Sequence, residues 1–391
     1  MTAALEAVIR AEIAASGPIA FARYMELALD HPAHGYYASP AARPTRGGDF
    51  LTAPELHPIF GATLARQLAE AWERLGRPDP FILREDGAGA GTLGLTVIAG
   101  LRADGSGLAD ALRYAPLELN PHRRAELAER FGAAGLADRL VASAGGAAPD
   151  PDHPFVGAIV ANELLDALPV HVVEVRGGVV REVLVDVAPD GGFREMLAEP
   201  STPAIGERLG VLREAGVELV EGQRAEFCLA LDAWTADVGA ALARGLVLVL
   251  DYGAAAADLY GPRRRAGTLM TYRGHRADGA PGAPYRDVGE RDITAHVDTT
   301  TLARLLAARG LDLLGETTQA AFLAGCGLEE TFRRERENLP DLAAAFELRS
   351  AVRRLLDPRH LGGFRVVLAG RDIPADPPLR GLSFPLPGGR E

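Results

Sequence analysis

The stretch Phe81-Ile-Leu-Arg-Glu-Asp-Gly-Ala-Gly-Ala-Gly-Thr-Leu-Gly94 constrains this chain more than any other. Phe81, Ile82 and Leu83 read as a short buried strand, with Glu85 and Asp86 at its carboxyl end. The five small residues from Gly87 to Gly91 can only be a tight turn, and Thr92 opens a helix. Strand, small-residue turn and helix make the first half of a βαβ unit. Small residues let a ligand approach the backbone, and a helix N-terminus presents free N–H groups to it. The spacing is G-x-G-x-G rather than G-x-G-x-x-G, and the chain contains no lysine to meet a phosphate. This favours a nucleoside without pyrophosphate, such as S-adenosylmethionine, over NAD or ATP. A Gly/Ala turn in a chain rich in both residues can also be a bare connection, so the surrounding pattern has to decide.

That pattern alternates strand and helix, as a doubly wound α/β sheet requires. After the turn come a helix at 92–102, a strand at 114–119 and a helix at 121–133, with Asn120 as cap and Pro121 in its first turn. Strands follow at 139–143 and 155–161, the latter ending in Asn162-Glu163. Residues 170–174 and 179–187 alternate around Arg176-Gly-Gly178, a β-hairpin signal. A helix at 223–243 leads to the apolar run 245–250, which reads as a buried parallel strand ending in Asp251-Tyr-Gly253. A helix at 299–309, a strand at 311–317, helix through 319–356 and a strand at 364–369 complete the alternation. Upstream, residues 1–78 read as helical, with Thr2 capping the first helix and one long helix at 54–75. The chain is therefore expected to carry an N-terminal helical cap (1–78) and an α/β domain (79–370). That domain would hold an insertion at about 170–222 and a Gly/Pro/Arg-rich mobile loop at about 254–292. A loose Pro-rich tail (371–391) follows.

Charge and composition exclude several functions. The net charge of −12 leaves no basic surplus for nucleic acid. Cys228 and Cys326 form neither a disulfide framework nor a zinc pattern, which suits a reducing compartment. His31, His34, His57, His171, His275 and His296 are scattered without an i,i+4 pair, so no metal is expected. There is no G-x-S-x-G elbow for a serine hydrolase. The first residues show neither a signal-peptide core nor an Arg-rich transit pattern, and no apolar run is long enough to span a bilayer; a cytoplasmic protein is expected.

In an open α/β sheet, ligands bind beyond the carboxyl ends of the strands. Four such ends carry polar groups here: Glu85-Asp86, Glu118, Asn162-Glu163 and Asp251-Tyr252. Glu118 lies 27 residues after Gly91, near the ~20-residue spacing of an acid that holds ribose hydroxyls. Glu85 and Asp86 could meet an ammonium or balance a sulfonium. Asn162, Glu163 and Asp166 combine a neutral amide with two carboxylates, a set suited to a cationic nitrogen such as a guanidinium.

With these residues in view the chain resembles the MidA family of S-adenosylmethionine-dependent methyltransferases, over roughly residues 15–370. The resemblance rests on Gly17-Pro-Ile-Ala-Phe-Ala-Arg-Tyr-Met25, His34-Gly-Tyr-Tyr37, Gly48-Asp-Phe-Leu-Thr-Ala-Pro-Glu55 with Phe60-Gly61, and Ala161-Asn-Glu-Leu-Leu-Asp-Ala-Leu-Pro169. Asp251-Tyr-Gly253, Gly267-Thr-Leu269, His275 and Asp292-Ile-Thr-Ala-His-Val-Asp298 extend it. The glycine turn departs from the family's E-[IL]-G-P-G-R-G-T-L at Asp86, Ala88 and Ala90.

The resemblance implies a class I methyltransferase with a seven-stranded Rossmann-like sheet. Gly87, Gly89 and Gly91 would cradle the amino-acid end of S-adenosylmethionine beside Glu85 and Asn162, and Glu118 would hold the ribose. Asp49 and Glu55, in the signature loop, would close over the cofactor. Asn162, Glu163 and Asp166 would face the acceptor, with Glu163 orienting it. The family includes a mitochondrial complex I assembly factor that methylates an arginine of a complex I subunit, which implies a protein partner, and exposed helices in 319–356 would offer a homodimer surface. The altered turn keeps a second reading open: a methyltransferase fold that serves as an assembly partner without efficient transfer. An NAD-dependent oxidoreductase is a third reading, against which the glycine spacing speaks.

Overall fold

The computed structural model of the protein describes residues 2–38, 52–141, 153–262, 264–274 and 276–384. The chain divides into two compact units, each built from separated segments. The first comprises Met1–Phe50, Leu165–Trp234 and Gly253–Leu302; the second comprises Leu51–Leu164, Thr235–Tyr252 and Ala303–Glu391.

The second unit holds the α/β sheet. Its strands are β1 (Phe81–Asp86), β2 (Leu112–Leu117), β3 (Phe155–Asn162), β4 (Leu242–Asp251), β5 (Asp312–Thr318) and β6 (Arg365–Arg371), in the order β5-β6-β4-β3-β1-β2. Strands β1 to β4 are mutually parallel, and β6 runs antiparallel to both neighbours. Chain order reverses at β1, since β2 lies on one side of it and β3 on the other. That is the topological switch point at which α/β sheets bind ligands. Leu246, Leu248 and Leu250 on one face of β4, and Val247 and Val249 on the other, are all buried. Helices on both faces of a parallel sheet require such a run. Seven strands were expected; six are named among the described residues. Leu140 makes an isolated parallel bridge to Tyr114 of β2, and residues 142–152, into which the expected third strand runs, lie outside the described residues.

The expected helix at 54–75 is two helices, Ala53–Leu56 and Ile59–Arg74. His57 between them is extended, and Pro58 has no N–H to carry an α-helical ladder through the junction. Both helices belong to the sheet unit, where Phe60, Leu64 and Leu68 join its core. The Pro-rich tail is not loose through residue 384. Leu379 is buried, the Arg380 N–H donates to Glu70 and the Gly381 N–H donates to the buried Gln67.

The first unit gathers the N-terminal helices with the insertion. Helices Thr2–Ser16 and Phe21–Asp30 bury Leu5, Ile9, Phe21, Tyr24 and Leu29 with Val183 and Val185. Thr2 lies inside its helix, and its hydroxyl donates to Glu290. The predicted hairpin is present: His171–Arg176 pairs with Val179–Val187, closing Arg176 on Val179 across Gly177-Gly178. Both loop glycines have positive φ, as a two-residue turn of this hand requires. The helix expected at 223–243 begins only at Ala230; Arg224–Phe227 is a strand paired with His171–Glu174. Its alternation of buried Ala225 and Phe227 with polar neighbours has period 2, which a helical reading overlooked. The stretch expected to be a loop at 254–292 supplies Met270–Arg273 and Arg276–Asp278, which with Asp292–Thr294 form a three-stranded sheet. No described helix is long and apolar enough to cross a membrane.

Candidate cofactor and acceptor site

The parallel strands bring their carboxyl ends to one edge of the sheet. Asp86 is in register with Leu117 and Ala161, and Asn162 with Leu250. Glu85, Gly87, Gly89, Gly91, Glu118, Asn162, Glu163 and Asp251 therefore share that edge. The glycine turn leaves β1 on two bonds to the neighbouring strand, from the Gly87 and Ala88 N–H groups to the Leu117 carbonyl at 2.9 and 3.0 Å. Gly87, Gly89 and Gly91 have φ of 74, 54 and 74°, a left-handed region that side chains rarely adopt. A Cβ on Gly91 would lie 2.8 Å from Leu127 and 3.0 Å from Phe131, so glycine there lets the helix Pro121–Ala133 approach. A Cβ on Gly89 would meet no described atom within 4 Å. This is the open side of the turn.

Glu118 lies beside that open side. Its Oε2 accepts from Gly89 N–H at 2.8 Å and its Oε1 from Asn120 N–H at 2.7 Å. Asn120 in turn caps the helix Pro121–Ala133 through its side chain. The acid is fixed by backbone donors, and each carboxylate oxygen keeps a further lone pair for a ligand hydroxyl. At the start of the helix Thr92–Ala103, the Thr92 hydroxyl donates to Glu55 and accepts from Arg130 at 2.8 Å; Arg130 also donates to the Ala90 carbonyl at 2.9 Å.

The end of β3 carries the acceptor candidates. Glu163 has φ of 51°, a left-handed conformation for a residue with a full side chain. Such strain persists only where the surroundings hold it and concentrates at functional sites. Its N–H is tied to the Leu250 carbonyl at 2.9 Å. Its Oε1 accepts from Ala53 N–H at 2.8 Å and from the Asn162 amide at 3.3 Å. Burial, reinforced by the charge of Asp251 and opposed by these two bonds, raises the Glu163 carboxyl to about 8. Asn162 Oδ1 is buried without a hydrogen-bond partner among the described residues. Asp251 is spent locally, accepting from the N–H groups of Leu164 and Tyr252.

Glu85 faces inward. Its carboxyl accepts from the Tyr114 hydroxyl at 2.6 Å, and Tyr114 stacks on Phe131 with ring centroids 5.0 Å apart. Burial first, then the charges of Asp86 and Glu118, push Glu85 up to about 8 despite the Tyr114 bond. It is buried, and the Gly94 N–H in the following helix also favours its ionised form. The folded protein thus keeps a proton on Glu85 that the unfolded chain releases near its ordinary 4.5. Glu163 behaves alike, so stability is expected to fall as pH rises from about 4.5 to about 8. Tyr114→Phe removes the donor and should cost ~1–2 kcal/mol, read by thermal unfolding at pH 6, with a steeper decline toward pH 8.5.

Asp86, unexpected at a strand end, is met by Arg84 on the same face of β1. The guanidinium forks onto its carboxylate at 2.6 and 3.0 Å and reaches Asp237 as well. Two departures from an apolar strand compensate each other inside the core.

Asp166 belongs to the first unit, in the single turn Leu165–Ala167, and its carbonyl accepts from Ala295 N–H at 2.9 Å. Asp49 lies outside the described residues. Ala53, Tyr114 and Arg130 were missed. A backbone donor and a helix arginine leave no motif, and the stacked tyrosine reads as core. The first unit also has a cavity lined by Arg208, Glu226, Cys228, Tyr260, His296 and Asp298. Its charged groups are already paired: Arg208 with Asp232, Glu226 with Thr268, and Asp298 with Thr301. Among the described residues there is no cluster of three or more His, Cys, Asp or Glu that could hold a metal.

A glycine turn at the switch point, an acid anchored at the end of β2, and a polar β3 end mark a candidate nucleoside-binding site on an α/β sheet. Residues 63–317 match the family model described as "Putative S-adenosyl-L-methionine-dependent methyltransferase". A crystal structure of a COG1565 superfamily protein from Burkholderia thailandensis, bound to S-adenosyl-homocysteine, superposes with a TM-score of 0.85 at 35% identity. The match covers 98% of this chain and 95% of that one. The chain is also 28% identical to protein arginine methyltransferase NDUFAF7, mitochondrial, of Mus musculus, over 90% of this chain and 80% of that protein. With the Drosophila melanogaster homologue it shares 28% identity, over 81% of this chain and 73% of that protein. The chain belongs to the MidA-like, COG1565 family of S-adenosylmethionine-dependent methyltransferases, and S-adenosylmethionine is its cofactor. The residues fit that group: the glycine turn has an open face, the Glu118 carboxylate is fixed beside it, and Asn162 Oδ1 is buried without a partner among the described residues.

Proposed function

We propose that the protein methylates an arginine guanidinium on a partner protein, with Glu163 as the acceptor-orienting acid. Gly87, Gly89 and Gly91 would hold the amino-acid end of the cofactor, Glu118 its ribose, and Asn162 would stand between cofactor and acceptor. When bound, S-adenosylmethionine supplies a methyl group on a sulfonium, a leaving group that needs no further activation. The chain's work is then positioning and proton handling. Both hydrogen bonds to Glu163 fall on Oε1, and no bond to Oε2 occurs among the described residues. Oε2 is the oxygen that would take a guanidinium N–H.

The observation that carries this reading is the Glu163 carboxyl raised to about 8 in a strained, half-buried position. Such a group is a stronger base than an ordinary carboxylate. A docking cation favours its ionised form, and the ionised oxygen can accept the proton that the guanidinium nitrogen sheds as it is alkylated. The name of the NDUFAF7 relatives, protein arginine methyltransferase, points to the same acceptor. The compensated Arg84–Asp86 pair and the intact left-handed glycines favour a working enzyme over a non-catalytic assembly partner.

The test is to incubate the enzyme with methyl-labelled S-adenosylmethionine and a protein extract, then hydrolyse and separate the amino acids. Label is expected in methylarginine. Label in methyllysine, or only in the small-molecule fraction, would overturn the arginine assignment.

A further inference from the structure

We propose that Arg130, Thr92 and Glu55 form a clamp that positions the cofactor turn from outside it. The inference needs only the cofactor and is independent of the acceptor. The turn's own side chains give it little rigidity, because the methyl groups of Ala88 and Ala90 can form no hydrogen bond and glycine supplies the other three positions. Backbone bonds hold its first half, where the Gly87 and Ala88 N–H groups reach Leu117. The second half has one backbone bond, from the Gly91 N–H to the Ala88 carbonyl at 2.9 Å, and is otherwise held by side chains from elsewhere. Arg130, in the last turn of the helix Pro121–Ala133, reaches back to the Ala90 carbonyl at 2.9 Å and the Thr92 hydroxyl at 2.8 Å. Glu55, in the short helix Ala53–Leu56, accepts from the same hydroxyl. Thr92 thus accepts from a cation and donates to an anion, which fixes its proton and its rotamer. Arg130 anchors one of its two bonds on the carbonyl between Gly89 and Gly91. These charge-assisted bonds are the strong kind. They bear on the residues that set where the open Gly89 face points.

Arg130 and Glu55 are therefore positioning residues, acting through Thr92 and the Ala90 carbonyl. The test is calorimetric titration of S-adenosyl-homocysteine into Arg130→Met, Arg130→Lys, Glu55→Leu and the Arg130→Met/Glu55→Leu double variant, with thermal unfolding of each. Arg130→Met is expected to weaken binding about 10-fold while its unfolding temperature stays close to the parent's. Arg130→Lys, which keeps a charged donor, should recover most of that loss. The double variant should bind no worse than the weaker single one, because both act through the same hydroxyl. Parent-like affinity in a folded Arg130→Met protein would overturn the clamp, as would strictly additive losses in the double variant. If Arg130→Met fails to fold, Glu55→Leu and Arg130→Lys carry the same comparison.

Discussion

A Gly89→Val variant is expected to lose cofactor binding while remaining folded. Its Cβ meets no described atom within 4 Å, so the protein itself has room for the side chain. The isopropyl group would fill the open side of the turn, beside the amide that holds Glu118. Overpacking a formed site by that much corresponds to a loss of about 100-fold in affinity, or ~2.7 kcal/mol. Left-handed φ adds a folding cost of ~1–2 kcal/mol for a residue with a Cβ. Gly105→Val separates the two effects. Gly105 has φ of 65° and equally open surroundings, but sits in the turn after the helix Thr92–Ala103. Both variants should lose similar stability, and only Gly89→Val should lose S-adenosyl-homocysteine binding by calorimetry. Equal affinities in the two would mean that the turn is not the cradle.

The difference between these two glycines was partly legible in the sequence. G-x-G-x-G after an apolar triplet marked Gly89 as a candidate ligand turn, and strand–helix alternation placed β1 to β6 within a few residues. The ends of those strands gave Glu118, Asn162 and Glu163, because a parallel sheet must bring its carboxyl ends to one edge. What stayed hidden has physical causes. Ala53 contributes a backbone N–H to Glu163, and backbone donors have no side-chain signature. Arg130 lies 40 residues from the carbonyl it holds, on a helix whose other arginines look the same in one dimension. Asp86 looked like a defect until its buried partner, two residues away on the same face, was seen. The grouping into compact units also departs from chain order. Chain order suggested an N-terminal cap, whereas Ile59–Arg74 belongs with the sheet and the first helices belong with the hairpin insertion.

Replacing Glu163 by Gln is expected to lower turnover by about 100-fold or more, with S-adenosyl-homocysteine affinity within about threefold of the parent. The amide preserves the shape and can still accept from Ala53 N–H, so the β3 end and the glycine turn should keep their geometry. What it cannot do is ionise. In the parent protein the carboxyl rests near 8 because it is buried beside Asp251, and it is mostly protonated at neutral pH. If the ionised form pairs with the guanidinium, kcat/KM for the acceptor must rise with pH. Below about 8 the ionised fraction grows tenfold per pH unit, and above it the curve levels. Glu163→Gln should flatten that rise, leaving a low activity independent of pH over the same range. The profile separates this role from a structural one, since a variant that merely loosened the strand end would lower the curve without removing its slope. Parent-like turnover in Glu163→Gln would remove Glu163 from the chemistry. The acceptor's proton would then leave directly to solvent, and the raised carboxyl would reflect only its burial behind Ala53.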